Sequence, residues 1–357
     1  MEASKSSADT ATQVLPVIPA GTYYGLIWNT NNIAPASSGL LTLSITAQSK
    51  YTAKLQLGGA TYSLSGVFNE YNIATNLVKN GKKYLVALQL QVNANDPDLI
   101  TGSVINLAEV GTGEQTWTAD ITADRAIFNT RTNPTPQAGN YTVVIPGTNA
   151  SSTLPEGDGC GTLSVSRAGT ILFTWSLADG TKLSPLSSQI SKHGQWPLYV
   201  PLYGNQGVLV SWITFTNAQT LGGDLTWIKP PSDAHYYPLG FSRTAVAFGS
   251  RYYLPGKATN VLGQTSTPLT LTLEGGNLGQ VLTKQFTLNA KNGAVDANGK
   301  KVNLAFTPAT GLFNGSLPDP DVPGKTIPFI GVVLQSQTNG YGYFLGTNQS
   351  GESSLEP

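Results

Sequence analysis

Tyr51-Thr52-Ala53-Lys54-Leu55-Gln56-Leu57-Gly58-Gly59 decides the fold class of this chain. Tyr51, Ala53, Leu55 and Leu57 fall on one side of an extended backbone, with Thr52, Lys54 and Gln56 on the other. Such period-two alternation puts one face on a core and the other in water, as in antiparallel sheets. The Gly-Gly that follows supplies the positive φ angles of a tight hairpin. The same alternation recurs in both directions along the chain: Leu41, Leu43 and Ile45; Ile171, Phe173, Trp175 and Leu177; Val302, Leu304 and Phe306. Between the runs stand Asp179-Gly180, Gly275-Gly276, Asn292-Gly293 and Asn298-Gly299, which are hairpin chemistry. No stretch sustains a 3.6-residue period, and Thr122-Ala123-Asp124-Arg125 is the one place that reads as a short helical turn. The chain is expected to be all-β.

Internal repetition sets the next level. Ala20-Gly21-Thr22-Tyr23 returns as Ala138-Gly139-Asn140-Tyr141, and Gly249-Ser250-Arg251-Tyr252 reads as a degenerate third start. Each start is followed by an alternating strand and later by a more continuously apolar one: Lys83–Leu88, Trp196–Leu202 and Thr326–Leu334. Three tandem pseudo-repeats of about six antiparallel strands follow, each a small β-barrel or barrel-like sandwich. Their bounds are residues 20–137, 138–249 and 250–357, with residues 1–19 as a linker or frayed end. Closure into barrels would remove the exposed edges of meandering hairpins. The alternative is one large β-architecture in which the units share strands. Thr130–Gln137 carries two prolines and reads as a connector, whereas no Pro-rich spacer separates the second unit from the third.

Composition limits function. The 357 residues carry 20 Lys+Arg against 20 Asp+Glu, and charged residues make up only 11%. Neither a nucleic-acid binder nor an acidic tail is built that way. The single cysteine, Cys160, leaves no internal disulfide and no multi-thiolate zinc site. No run of about 18 apolar residues is present to span a membrane as a helix. Low charge with abundant Thr, Ser, Asn and Gly points to an exported protein, extracellular or on a cell surface.

Several strings carry a resemblance: Gly21–Leu26, Gly194–Tyr203, Thr310–Ser316 and Gly340–Gly351. They resemble the C-terminal β-rich segment of large exported proteins from verrucomicrobial-type environmental bacteria, over nearly the whole chain from residue 21. The resemblance implies a bacterial surface protein with neighbouring domains in a longer chain. It implies no defined activity and assigns no site residue.

Candidate chemistry gathers in the second unit, which holds both histidines, the cysteine and four of the six tryptophans (Trp175, Trp196, Trp212, Trp227). A feature present in one repeat alone is a better functional candidate than one shared by all three. If the fold joined them, His193, His235 and Asp233 would form a general-base site for an ester, phosphoester or glycoside hydrolase. Aromatics near turns and strand ends are candidates for stacking on sugar rings: Tyr23, Trp28, Trp196, Tyr199, Tyr203, Tyr236 and Tyr237. Asp96 and Asp98, and Glu156 and Asp158, are closely spaced oxygen donors of the kind calcium uses, though none fits the twelve-position loop. No organic cofactor motif is present. The main expectation is a non-catalytic exported β-module for surface architecture, adhesion or polysaccharide binding, with the hydrolase as alternative.

Overall fold

The computed structural model describes residues 16–80, 84–107, 115–149 and 151–357. The described residues form three eight-stranded antiparallel sheets. The first holds β1 (Gly21–Trp28), β2 (Gly39–Ile45), β3 (Lys50–Leu57), β4 (Ala60–Val67), β5 (Ile73–Asn80), β6 (Tyr84–Val92), β7 (Leu99–Leu107) and β8 (Gln115–Arg125). The second holds β9 (Gly139–Ile145), β10 (Gly159–Val165), β11 (Thr170–Ser176), β12 (Leu186–Gln189), β13 (Gln195–Leu202), β14 (Gly207–Thr216), β15 (Thr220–Lys229) and β16 (Phe241–Tyr252). The third holds β17 (Ser266–Gly275), β18 (Leu282–Asn289), β19 (Ala294–Val295), β20 (Leu304–Thr307), β21 (Leu312–Pro318), β22 (Thr326–Leu334), β23 (Asn339–Leu345) and β24 (Ser350–Glu356).

Each unit is an up-and-down meander whose first strand pairs with both its second and its eighth, so that Tyr23 lies opposite Leu43 and Arg125. Among the described residues no ladder joins β4 to β5, β12 to β13 or β19 to β20, so each barrel is closed except along one seam. In the second unit a side chain crosses that gap, Ser188 Oγ donating to Pro197 O at 3.1 Å. The units contain eight strands rather than the expected six. The missed ones are short, such as β12 and β19, or rich in Ser, Thr and Gly, such as β4. Neither kind shows a strong alternation.

Three further expectations change. Thr122–Arg125 is the end of strand β8, pairing with β1 and β7, because Ile121 and Ala123 continue an inward face. Gly249–Tyr252 completes β16 of the second unit, with Ser250 opposite Thr142. Residues 1–15 of the expected linker lie outside the described residues, whereas Ile18 is buried in the first core and Asn72 Nδ2 donates to Pro16 O at 2.8 Å.

Each barrel is filled. The first core packs Leu41, Leu43, Leu55, Leu88, Val104 and Ile121. The second packs rings edge to face, with Trp196 centred 4.9 Å from Phe173 and 5.7 Å from Trp175. The third is built on Phe313, Phe329 and Phe344.

The barrels stand side by side. The outer faces of β1 and β2 pack on β13, and those of β9 and β10 pack on β22. The first strands of one unit therefore meet the middle strands of the next, twice. Leu26 with Tyr199, Val208 and Val210 forms one apolar seam; Val144 and Cys160 with Val332, Leu334 and Tyr343 form the other. Strand parity gives all three barrels the same direction. At one end, here the base, the first strands begin; the opposite end is the rim. Contacts run rim to rim, as from Gly276 N to Glu156 Oε2 at 2.9 Å, and base to base, as from Lys192 Nζ to Asp96 Oδ1 at 2.5 Å.

Candidate functional site

The two histidines are at opposite ends of the second barrel, because His193 follows β12 at the base and His235 follows β15 at the rim. The expected joint site of His193, His235 and Asp233 does not form, and Asp233 is exposed.

At the base, His193 reaches into the first unit. Its Nδ1 lies 3.4 Å from Asp124 Oδ1 and its Nε2 3.8 Å from Asp96 Oδ2. The Asp124 side chain is 3% exposed and the His193 side chain 49%. Burial pushes the Asp124 carboxyl above its ordinary range, against the pull of His193. For Asp98, burial pushes up, but hydrogen bonds from Arg125 and Lys192 outweigh it and hold the carboxyl low. Both imidazole nitrogens thus face carboxylates. Asp96 and Asp98, the calcium candidates here, direct oxygens at Lys192 and Arg125. The cluster is a latch between units one and two.

At the rim, three connections converge: residues 146–149 with 151–158, 230–240 and 346–349. Pro230 and Pro231 end β15, since proline cannot continue the ladder. The return into β16 turns on Gly240, with φ of 67°, where an added Cβ would lie 2.5 Å from Lys229 O. This loop is stapled to unit three. His235 Nε2 donates to Thr347 O at 2.6 Å and Tyr236 Oη donates to Gly346 O at 3.1 Å. Tyr237 Oη accepts from Ser350 N at 2.9 Å and lies 2.9 Å from Ser350 Oγ.

Between these connections lies a cleft of about 430 Å³. Ser152 and Thr153 line it together with His235, Pro238, Leu239, Asn348 and Gln349. Leu239 is 82% exposed, an apolar side chain ringed by hydroxyls and amides. Beside it a second hollow of about 350 Å³ is lined by Asn149, Glu156, Glu274 and Glu352. Glu156 there accepts from Ser151 N and Gly276 N, and buried Asp158 accepts from Gly147 N at 2.7 Å. Burial pushes the Asp158 carboxyl up to about 7, with the Glu352 charge adding to the rise. Glu156 and Asp158 thus direct oxygens at main-chain N–H groups. Among the described residues no group of three or more His, Cys, Asp or Glu side chains is placed to hold a metal ion.

The expected stacking aromatics are mostly consumed by the fold. Trp196 and Tyr23 are fully buried in barrel cores and have no face left for a ligand. Tyr199 and Trp28 point outward but into the seam between units one and two. Tyr203 is drawn into a buried network at the rim of barrel two, and Tyr237 is buried against Phe241. Of the proposed set, His235, Tyr236 and Tyr237 are brought together. Leu239, Ser152, Thr153 and Asn348 were not anticipated. Their one signal was the Pro-Pro loop itself, since loops carry binding surfaces.

No family model matches the chain, and no curated protein matches it. Among the solved structures that overlap it loosely are two from bacteria. One is a mutant of the vaccine antigen Transferrin Binding Protein B from Haemophilus parasuis, at 10% identity and a TM-score of 0.23, covering 94% of this chain and 76% of that one. The other is a DUF3598-family protein from Nostoc punctiforme described as of unknown function, at 11% identity and a TM-score of 0.22, covering 66% of this chain and 97% of that one. The functional reading therefore rests on the residues themselves.

Proposed function

We propose that this chain is a non-catalytic β-module of an exported bacterial surface protein, and that its rim cleft between units two and three holds a neutral, hydroxyl-rich polysaccharide. The observation that carries the reading is the cleft's construction. Its walls come from two barrels joined by a buried apolar seam, so its shape is fixed before a ligand arrives. A preformed site avoids the ordering cost of binding. Leu239 and Pro238 offer apolar surface to the C–H face of a sugar ring, and Ser152, Thr153, Asn348 and Gln349 offer donors and acceptors to its hydroxyls. A charged content of 11% suits a module whose ligand is uncharged. The resemblance to exported β-rich segments accords with this, and neighbouring domains of a longer chain would be the other partners.

The test is retention on a panel of insoluble polysaccharides and a glycan array, with the intact chain and with Leu239→Asp. Wild type should be retained on at least one neutral glycan, and the variant should lose at least about tenfold in affinity without change of fold, as loss of a central apolar contact does. Retention on none, or equal retention of both proteins, overturns the reading.

A further inference from the structure

The second barrel contains the most deeply buried ion pair among the described residues. At the rim, Lys229 Nζ lies 2.7 Å from Asp179 Oδ2, with side-chain exposures of 5% and 0%. The other Lys–Asp pairs among the described residues keep the ammonium side chain 20% exposed or more. Removing two charges from water to that depth costs several kcal/mol per ion unless the site repays it. The surroundings are ordered around one carboxyl group. Tyr203 Oη donates to the same Oδ2 at 2.7 Å, and Thr181 N donates to Oδ1 at 3.0 Å. Trp227 Nε1 donates to Tyr203 Oη at 3.0 Å, and Lys229 Nζ sits 4.5 Å from the centre of the Tyr203 ring.

We propose that Lys229 and Asp179 condense to an amide, a cross-link the folded barrel makes in itself. Away from water, transfer of one proton along the hydrogen bond turns ammonium and carboxylate into amine and carboxylic acid, which suit a site of low polarity. The Nζ lone pair forms a bond to Asp179 Cγ, and the C=O electron pair moves onto Oδ1, where the Thr181 N–H stabilises it. When the carbonyl re-forms, the Cγ–Oδ2 bond breaks. Oδ2 already carries one proton and takes a second from Nζ, relayed through the Tyr203 hydroxyl, and leaves as water. The three ammonium hydrogens are then one on the amide and two on water. Nothing is oxidised or reduced, and no co-reactant is needed. Fixed placement of amine and acid supplies the high effective concentration that such a step requires.

The bond would join the connection after β11 to the end of β15. It would thereby clasp the two halves of a barrel that no ladder joins between β12 and β13. A module that bears load gains mechanical closure at that gap.

The test is the intact mass of the purified full chain under denaturing conditions. The expected result is a chain one water lighter than its sequence, with a branched peptide joining the Lys229 and Asp179 segments after proteolysis. Lys229→Arg and Asp179→Ala should each restore the sequence mass. Because those variants risk misfolding, the decisive reading is the wild-type chain: full sequence mass, with both side chains unmodified in folded protein, overturns the proposal. Tyr203→Phe keeps the ring and should slow the mass change by at least about tenfold, as loss of a proton relay does. An unchanged rate would remove Tyr203 from the step.

Discussion

The hydroxyl of Thr142, in the second unit, donates a fully buried hydrogen bond of 2.7 Å to the main-chain carbonyl of Val333, in the third. Within the apolar seam between these units, this bond fixes the register of β9 against β22. Thr142→Val keeps the shape, removes the donor and leaves a buried carbonyl unpaired, which costs about 1–3 kcal/mol. Chemical denaturation should show that loss, and Thr142→Ser should recover most of it.

Cys160 lies in the same seam, and burial pushes its thiol pKa up to about 12. A thiol held protonated and out of contact with water is a poor nucleophile. The native chain should therefore resist alkylation, and labelling should follow opening of the seam. Thr142→Val should speed labelling by about tenfold, the factor that 1.4 kcal/mol of lost seam stability gives. Rapid labelling of native wild type would show the seam to be open.

Asp158 sets a pH dependence. Its folded-state pKa, about 7, stands above the ordinary 3.8 because the group is buried. A raised folded pKa means the fold favours the protonated acid. That contribution is complete below about pH 3.8 and is lost as pH rises through 7, on the order of 4 kcal/mol over the interval. Asp158→Asn keeps an acceptor for Gly147 N and carries no charge. Urea unfolding should show the variant gaining on wild type from pH 5 to 8, whereas parallel curves would contradict the assignment.

The tryptophans of the second core are not equivalent. Trp227 Nε1 donates to Tyr203 Oη at 3.0 Å, whereas Trp196 Nε1 is buried with no hydrogen-bond partner among the described residues. Trp196→Phe removes an unsatisfied donor, whereas Trp227→Phe breaks a bond. Both leave space, so the comparison is differential. Trp227→Phe should cost about 1 kcal/mol more in denaturant unfolding.

The alternating runs that were legible in the sequence are those with a wet outer face. Ile171, Phe173, Trp175 and Leu177 all point into the second core. The more continuous apolar strands, Trp196–Leu202 and Thr326–Leu334, have a second reason visible only in three dimensions. They serve a barrel core on one face and a neighbouring unit on the other. Tyr199 therefore looked like an exposed ring although it lies in a seam. β19, with two residues, carries no period at all. The cleft was the least legible element. It joins Ser152, Leu239 and Gln349, residues far apart in the chain that meet because two barrels share a direction. The latch of His193 on Asp124 was hidden for the same reason, since Asp124 belongs to another unit.

On this reading, the module meets its ligand in the rim cleft between units two and three. Hydrogen exchange followed by mass spectrometry, with and without a retained polysaccharide, tests it most directly. Added protection should be confined to residues 151–156, 233–240 and 346–349. Protection centred on the base cluster around His193, or on the outer face of the first unit, would contradict it.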